Sequence, residues 1–344
     1  MRAIVTGGCG FIGSHLIRKL VDYDDCELII NLDLLTYSGH YENCNDIISE
    51  KYIFKYGSIN DKNLFLELLK TKNITTIFHL AAESHVDRSI NSIEPFISTN
   101  IDGTRCILEA IIERKKEGQI IDLIHISTDE VYGSLEKDDL PFTELSSVKP
   151  RNPYAATKAA SDHLVQAFVN TYDISAVITR CSNNYGPRQF PEKLIPLMIL
   201  NAMEGKFLPI YGDGKQVRDW IHVSDHVNGI IASYEGLKKK ILSSGEVVNF
   251  GGDTEKENIE IVNKIIDIMG ASLSQIKYVD DRLGHDRRYA MNSLKAKEKL
   301  GWEPIISWEE GLKNTIRWYL DNEKWVDSIT SGEYRNWIEK QYKL

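Results

Sequence analysis

The sequence predicts an α/β protein in which a doubly wound parallel sheet is joined to a smaller C-terminal α+β domain. Short apolar runs alternate with helical patterns through the first half of the chain, as they do in successive βαβ units. A glycine-rich loop separates the first apolar run from the first helical pattern, and the second half is less regular. The 344 residues exceed what one compact core usually holds, so we expect a second domain.

The predicted elements of the sheet follow one another in a regular order. The strands are short apolar runs, and the helices carry apolar residues at helical spacing. The predicted strands are RAIVTG from Arg2, ELIINLD from Glu27, YIFKYGSI from Tyr52, TTIFHLAA from Thr75, IDLIHIS from Ile121 and SAVITR from Ser175. The predicted helices are FIGSHLIRKLVDY from Phe11, KNLFLELLKT from Lys62, a long pattern over about Ser98 to Lys116, and one beginning near Tyr154.

Composition and charge exclude several classes of protein. The formal net charge is -9, which argues against a general nucleic-acid or membrane-surface binder. The five cysteines are scattered and form no C-x-x-C pair, so we expect no disulfide framework, no metal site and a reducing compartment. No apolar run is long enough to span a membrane. Met1 leads directly into the first predicted strand, so we expect no signal peptide and a cytoplasmic location.

The loop TGGCGFIGSH lies between the first strand and the first helix. It fits G-x-G-x-x-G through Gly8, Gly10 and Gly13, and also G-x-x-G-x-x-G through Gly7, Gly10 and Gly13. Such a loop lets the backbone approach a pyrophosphate at a helix N-terminus. Asp33 ends the second strand at the spacing of the dinucleotide fingerprint. Its carboxylate can accept hydrogen bonds from a ribose diol and would repel a 2′-phosphate, so we predict a Rossmann-type domain that binds NAD rather than NADP.

We assign residues 1–184 to this NAD-binding domain and residues 185–344 to the smaller domain. The chain is expected to return to the first sheet near 221–252, where GEVVNFGG predicts a strand.

Tyr154 and Lys158 lie four residues apart in NPYAATK, on one face of the predicted helix. A lysine ammonium near a phenol stabilises the phenolate, so we expect a lowered pKa for Tyr154. Such a tyrosine can accept a proton from an alcohol, and Thr128 could hydrogen-bond the same alcohol. An exposed helical pair is the alternative, but the preceding dinucleotide loop favours a catalytic role.

Two adjacent carboxylates, Asp129 and Glu130, follow the strand in HISTDEVYG. Like charges so close repel each other and shift their pKa values. Neighbouring residues of a regular strand point to opposite faces, so the backbone must leave strand geometry by Asp129 if both acids serve one ligand. A helix cap or a solvated loop acid is the alternative. The position beside Thr128, at the carboxyl end of a strand, favours an acid and a base in one site.

Eight motifs together resemble the extended short-chain dehydrogenase/reductase superfamily over nearly the whole chain. They are TGGCGFIGSH, AAESHVDRSI, STDEVYG, YAATK, CSNNYGP, PEKLIP, RDWIHV and GHDRRYA. Several are specific to the nucleotide-sugar 4,6-dehydratases, and the greatest similarity is to the branch that acts on dTDP-glucose.

The resemblance implies a catalytic sequence for these residues. Tyr154 takes the proton of the glucose 4-hydroxyl as hydride passes to NAD, and the 4-ketone acidifies the C5 proton. Glu130 removes that proton as base, Asp129 protonates the departing 6-hydroxyl, and hydride returns to C6. No net oxidation occurs, so the cofactor should stay bound.

The resemblance also implies two binding sites. For NAD it implies Gly7, Gly10, Phe11, Ile12, Gly13, Asp33, Leu34, Thr36, Ser58, Ile59, Leu80, Ala81, Ala82, Thr99, Tyr154, Lys158 and Asn184. For the nucleotide sugar it implies Ser84, Thr128, Asn183, Lys193, Leu194, Pro209, Ile210, Tyr211, Arg218, Asn249, Asp281, Arg282 and His285. Two positions depart from the family pattern: Ser58 stands where an aspartate near the adenine is usual, and Leu283 stands where proline is usual.

Several alternatives remain open. A sugar-nucleotide 4-epimerase or a decarboxylase would share the glycine loop, Asp33, Tyr154 and Lys158, but it would not need an acid–base pair at C5 and C6. A non-catalytic NAD-sensing protein would share the fold alone. Thymine and uracil differ by one methyl group, worth only about 1–3 kcal/mol, so UDP is the alternative to dTDP. The resemblance further implies a homodimer in which the two long helices of each subunit form a four-helix bundle.

Overall fold

The computed structural model describes residues 1–330 together with Tyr334 and Gln341. Its largest sheet has seven parallel strands in the order β10-β6-β5-β4-β1-β2-β3. The strands of this sheet are β1 Arg2–Thr6, β2 Leu28–Asp33, β3 Tyr52–Tyr56, β4 Thr76–His79, β5 Asp122–Thr128, β6 Ser175–Cys181 and β10 Val247–Phe250. The predicted doubly wound α/β fold is confirmed, and all six predicted strands of the first half are present.

Helices cover both faces of this sheet. They are α1 Phe11–Val21, α2 Lys62–Thr71, α5 Thr104–Lys116, α6 Pro153–Tyr172 and α8 Val223–Lys238. The short helices α3 Val86–Asn91 and α4 Glu94–Phe96 pack against α6. One face of the sheet packs on a core with side chains of α1 and α8, such as Leu16 and Ile230. The opposite face packs on a core with side chains of α2, α5 and α6, such as Phe65, Ile107 and Val165. Both faces of the strands are therefore apolar, as a buried parallel sheet requires.

The long helix predicted over Ser98 to Lys116 is only partly α-helical. Residues Ile97–Gly103 form a π-helix, and α5 begins at Thr104. The wider turn is held by Asn100, whose amide donates to Glu83 O at 3.0 Å and to Thr157 Oγ1 at 2.9 Å. Such wide turns often occur at functional sites, and here the turn lies next to the cavity described below.

Most of the remaining elements form a second, smaller body with its own core. Two small sheets, β11-β9-β7 and β12-β8, pack with helices around residues such as Trp220, Ile265 and Leu312. The strands are β7 Asn183–Tyr185, β8 Leu208–Tyr211, β9 Val217–His222, β11 Glu255–Glu257 and β12 Ile276–Val279. The helices of this body are α7 Leu194–Met203, α9 Asn258–Met269, α11 Trp308–Asp321 and α12 Glu323–Ile329. Helix α10 Leu294–Leu300 instead packs against α8 and β10, with Ala296 in a core of the main sheet. The domain division at residue 184 stays a prediction.

Within the described residues, no helix combines the length and apolar character needed to cross a bilayer.

Candidate active site

The chain leaves strand geometry directly after Thr128. Strand β5 ends at Thr128, and Asp129–Tyr132 form a turn of 3₁₀ helix. The Thr128 hydroxyl accepts a hydrogen bond from the Glu130 N–H at 3.3 Å, which caps this turn. The predicted break in the strand at Asp129 is confirmed. It brings both carboxyl groups to the wall of one cavity.

Asp129 is almost completely removed from water, with 2 % of its surface exposed. The Thr128 hydroxyl lies 3.2 Å from its Oδ1. Burial raises the pKa of Asp129 well above its usual value, and the charges of Glu130 and Asp219 raise it further. The hydrogen bond from Thr128 and the charge of Arg218 lower this pKa by smaller amounts. The environment therefore favours the protonated carboxylic acid, which can donate a proton.

Glu130 is only half-buried and is held by a side-chain amide. Its Oε2 accepts a hydrogen bond from Asn152 Nδ2 at 2.9 Å. The same Asn152 caps α6, because its Oδ1 accepts from the Ala155 N–H at 2.8 Å. A carboxylate that accepts a hydrogen bond and borders the cavity is suited to accept a proton. The two neighbouring acids thus have different surroundings, as an acid–base pair requires.

Tyr154 and Lys158 line the same cavity from the first turns of α6. The expectation that Tyr154 has a lowered pKa is wrong for this structure. Burial raises the pKa of Tyr154 well above its usual value, and the charge of Glu130 adds to the effect, while a hydrogen bond with Thr128 lowers it. Lys158 Nζ donates to Ile126 O at 2.7 Å, and burial lowers the pKa of Lys158 to about 8.

The large cavity, of about 550 Å³, lies beyond the carboxyl ends of the strands of the main sheet. All seventeen residues predicted for the NAD site line it, from Gly7 in the glycine loop to Asn184 after β6. The backbone of the loop packs closely: a Cβ on Gly7 would lie 2.8 Å from Ala81 Cα, and one on Gly13 would lie 2.2 Å from Gly7 O. The loop leads directly into the N-terminus of α1. Backbone N–H groups at this position can bind a pyrophosphate.

Asp33, the last residue of β2, borders this cavity and also links the glycine loop to β2 by a hydrogen bond. Its Oδ2 accepts from the Cys9 N–H at 2.9 Å, and its Oδ1 accepts from the Leu35 N–H at 2.8 Å. Burial raises the pKa of Asp33, and the hydrogen bonds from the backbone N–H groups oppose this rise. The carboxylate therefore has a structural task besides the predicted contact with a ribose.

A side cavity of about 160 Å³ shares Glu130, Asn183 and Lys193 with the large one. Its wall includes the predicted substrate residues Asn183, Lys193, Leu194, Pro209, Ile210, Tyr211, Arg218, Arg282 and His285. An outer cavity of about 240 Å³ carries Tyr211, Asp281, Arg282 and the exposed Leu283. Ser84 lines the large cavity. Three cations therefore line the side cavity next to the catalytic turn: Lys193, Arg218 and Arg282.

The predicted substrate residue Asn249 lines none of these cavities. It lies on β10 and is fully buried. Its Oδ1 accepts from the Tyr132 hydroxyl at 2.8 Å, and its backbone N–H donates to Glu144 Oε1 at 3.0 Å. This geometry gives Asn249 a role in fixing the turn that begins at Asp129, and it does not support a direct substrate contact.

Several residues of the cavity region escaped the sequence analysis, among them Asn152, Tyr37, Arg88 and Glu192. Arg88 pairs with Glu192 at 3.1 Å, and its guanidinium lies 3.9 Å from the centroid of the Tyr37 ring. Glu192 lines both the large and the side cavity. Burial raises the pKa of Glu192, and the charges of Lys193 and Arg88 lower it. The motifs AAESHVDRSI and PEKLIP contained two of these residues, but only the fold brings them together.

Comparisons with a family model, with known proteins and with solved structures each find similarity to nucleotide-sugar 4,6-dehydratases. The family model for GDP-mannose 4,6 dehydratase matches residues 4–315. The chain is 45% identical over 365 residues to dTDP-glucose 4,6-dehydratase 1 of Escherichia coli, covering 100% of this chain and 99% of that protein. The solved structure of DesIV, a dTDP-glucose 4,6-dehydratase from Streptomyces venezuelae with NAD bound, is 41% identical with a TM-score of 0.90, covering 96% and 100% of the two chains. A UDP-glucose 4-epimerase from Thermotoga maritima is 31% identical with a TM-score of 0.84, covering 94% and 100%.

Proposed function

The chain belongs to the GDP-mannose 4,6 dehydratase family of extended short-chain dehydrogenases/reductases, and we propose that it is an NAD-dependent hydro-lyase that converts dTDP-glucose to dTDP-4-keto-6-deoxyglucose and water. One observation carries the proposal. A carboxyl group favoured as the acid, Asp129, and a half-buried carboxylate, Glu130, lie side by side on a cavity wall with Tyr154 and Lys158. This is the set of groups that removal of water next to a transient ketone requires.

The residues divide the chemistry among them. Tyr154 takes the proton of the 4-hydroxyl in its phenolate form, which a positive charge on Lys158, one helical turn away, would favour against the raised pKa that burial gives Tyr154. The cavity lined by the glycine loop and Asp33 would hold NAD, which would supply the hydride acceptor for C4 and the hydride donor for C6. Glu130 removes the C5 proton, which the neighbouring 4-ketone makes acidic, and Asp129 protonates the 6-hydroxyl as it leaves. Asn152 keeps Glu130 in place throughout.

The cations of the side cavity suit a nucleoside diphosphate. Arg218 is buried and donates to Val217 O at 2.8 Å and Asp286 O at 3.0 Å, which leaves other N–H groups of its planar fork for phosphate oxygens. Lys193 Nζ is anchored on Ser84 O at 2.9 Å. These groups supply local positive charge in a chain whose formal net charge is -9.

An isotope-transfer experiment tests the reaction and the nucleotide together. dTDP-glucose and UDP-glucose, each deuterated at C4, are supplied separately. Intramolecular transfer predicts product deuterated at C6, with dTDP-glucose as the preferred substrate. Loss of the label to solvent would refute the mechanism, and equal turnover of both substrates would refute the nucleotide assignment.

The 4-epimerase alternative is favoured by one finding, the similarity in fold to UDP-glucose 4-epimerases. Inversion at C4 needs no acid and base at C5 and C6, so the pair Asp129–Glu130 would have no task. The same assay separates the two activities, because an epimerase would form an NDP-galactose without losing water.

Homodimerisation belongs to the same proposal. The helices α5 and α6 lie side by side. Ile97, at the start of the π-helix that precedes α5, is 38% exposed, and Tyr172, the last residue of α6, is 47% exposed. Pairing with a second copy as a four-helix bundle would cover these apolar side chains. Light scattering at micromolar concentration should give about twice the 39.2 kDa mass of one chain, and a monomeric mass would contradict the dimer.

A cytoplasmic location is also proposed. All five cysteines are buried free thiols, which suits a reducing compartment. Fractionation of the native host should recover the activity with cytoplasmic markers.

A further inference from the structure

Arg151 and Asp286 form an ion pair that lies outside the cavities of the site. Arg151 Nε is 2.8 Å from Asp286 Oδ1, and the side chain of Asp286 is 1% exposed while that of Arg151 is 58% exposed. Neither residue lines the large, the side or the outer cavity. Any influence of this pair on a bound ligand must therefore pass through other residues.

The Arg151 end of the pair adjoins the two proposed bases. Arg151 directly precedes Asn152 in the chain, and Asn152 Nδ2 donates to Glu130 Oε2 at 2.9 Å. Tyr154 follows in the first turn of α6. The ion pair is thus attached at the point where the chain enters α6, next to the side chain that holds Glu130.

The Asp286 end of the pair adjoins Arg218, the proposed phosphate-binding cation. Arg218 donates to the backbone oxygen of Asp286 at 3.0 Å. The Asp286 carboxylate also accepts a hydrogen bond from the Tyr289 hydroxyl, and the Arg218 guanidinium lies 4.4 Å from the centroid of the Tyr289 ring. Asp286 therefore holds Arg218 both directly and through Tyr289.

The segment that carries Asp286 is also anchored without Arg151. The Leu135 N–H donates to Arg288 O at 2.9 Å, which joins this segment to the chain that follows the catalytic turn. Loss of Arg151 should therefore leave the segment folded. What the ion pair adds is a fixed position of Asp286 relative to Asn152.

We propose that Arg151 is a positioning residue whose ion pair with Asp286 sets the separation between Glu130 and Arg218. Both Glu130 and Arg218 line the side cavity, and the proposed function places the hexose at the first and the diphosphate at the second. One substrate molecule must meet both at once, and a misplacement of about 1 Å can cost about a hundred-fold in rate. The inference rests on the proposed function and adds a residue that touches neither substrate nor cofactor.

Steady-state kinetics and calorimetric titration of Arg151→Gln with NAD bound test the positioning role. With dTDP-glucose, kcat should fall about ten-fold. The affinity for dTDP alone should stay as in the wild type, because dTDP has no hexose and does not reach Glu130. Arg151→Lys, which keeps the positive charge, should recover part of the lost kcat. Arg287→Gln is the control, since it removes an equal charge from an exposed ion pair with Asp213 and should leave kcat unchanged.

A double-mutant cycle tests whether Arg151 acts through Asp286. If it does, adding Arg151→Gln to Asp286→Asn should lower kcat no further than Asp286→Asn alone, and losses of kcat that add up would overturn the proposal. Should Asp286→Asn fold poorly, Arg151→Glu replaces it, because a like charge beside Asp286 should give a lower kcat than Arg151→Gln.

Three results for Arg151→Gln would also overturn the positioning role. They are an unchanged kcat, a lower dTDP affinity with kcat retained, which would make Arg151 a phosphate contact, and a parallel loss of dTDP affinity, kcat and melting temperature, which would make its role only structural. Conversion of dTDP-glucose by the wild-type protein tests the proposed function separately.

Discussion

Asn152 donates a hydrogen bond from its amide nitrogen to Glu130 Oε2 across 2.9 Å, while its amide oxygen caps α6 through the Ala155 N–H. Tyr154 lies in the first turn of the same helix. Asn152 therefore fixes the position of Glu130, the proposed base for the C5 proton, relative to Tyr154, the proposed base for the 4-hydroxyl. The relation explains how residues 24 positions apart in sequence can act on neighbouring carbons of one sugar.

Asn152→Asp separates these two tasks of the side chain. Aspartate caps a helix as well as asparagine does, so the free energy of unfolding should change by less than about 1 kcal/mol. A second carboxylate beside Glu130 repels its charge and favours a shared proton, so kcat should fall at least ten-fold near neutral pH, with NAD affinity unchanged. Steady-state kinetics and thermal melting measure both effects. Asn152→Ser, which adds no charge, should lose less activity, and an unchanged kcat in Asn152→Asp would contradict the assigned link.

Glu130→Gln should stop the reaction after the first oxidation. The amide cannot accept the C5 proton, and loss of a general base costs about 10²- to 10⁴-fold, so turnover should fall by this factor. Oxidation at C4 does not use Glu130, so reduced nicotinamide should accumulate to about one equivalent per site. Stopped-flow absorbance records this accumulation, and a titration should give wild-type NAD affinity. Full turnover by Glu130→Gln would refute its role as base.

Asp129→Asn should stabilise the protein increasingly as the pH rises. Because burial raises the pKa of Asp129 in the folded state, the folded protein binds more protons than the unfolded chain between the ordinary and the raised pKa. Wild-type stability should therefore fall over this range by about 1.4 kcal/mol per pH unit from this group, and the neutral amide avoids the loss. Urea unfolding from about pH 5 to about pH 8 should show the gain of Asp129→Asn over wild type growing with pH.

The matched control for this prediction is Asp138→Asn, which removes an exposed carboxyl group. Its difference from the wild type should stay nearly constant over the same pH range. A constant difference for Asp129→Asn as well would show that Asp129 is ionised in both the folded and the unfolded state.

The parts of the site that local sequence determines were predictable. The glycine loop, Asp33 and the carboxylate pair each lie within one strand–loop unit, and apolar periodicity located every strand before them. The helix KNLFLELLKT was predicted to the residue, since α2 is Lys62–Thr71. These features depend on neighbours in the chain, which the sequence displays directly.

Features that depend on distant partners were not predictable. The expected fall in the pKa of Tyr154 considered only Lys158, four residues away, and missed the burial and the charge of Glu130. The bond between Asn249 and Tyr132 joins residues 117 positions apart. The break between the π-helix and α5 depends on Asn100 reaching Glu83 and Thr157, and no periodicity reveals such contacts.

Asp33→Asn should reduce the preference for NAD over NADP. The carboxylate repels a 2′-phosphate and can accept hydrogen bonds from a ribose, so the wild-type protein should bind NAD at least ten-fold more tightly than NADP. In the wild-type protein, the N–H groups of Cys9 and Leu35 each donate to one carboxylate oxygen of Asp33. Asparagine has only one side-chain oxygen, so its NH₂ group must face one of these two N–H groups, and that hydrogen bond is lost. The free energy of unfolding should fall by about 1–3 kcal/mol for the lost bond, and the two cofactor affinities should converge.

Fluorescence titration of both cofactors measures the preference, and urea unfolding measures the stability. Asp24→Asn is the control, because it removes the same charge from an exposed position and should leave both quantities as in the wild type. Equal affinity of the wild-type protein for NAD and NADP would contradict the role of Asp33 in selection. Asp33→Asn could instead lower the free energy of unfolding and leave the preference for NAD over NADP unchanged. The role of Asp33 would then be to hold the glycine loop through the hydrogen bond from Cys9, and not to select the cofactor.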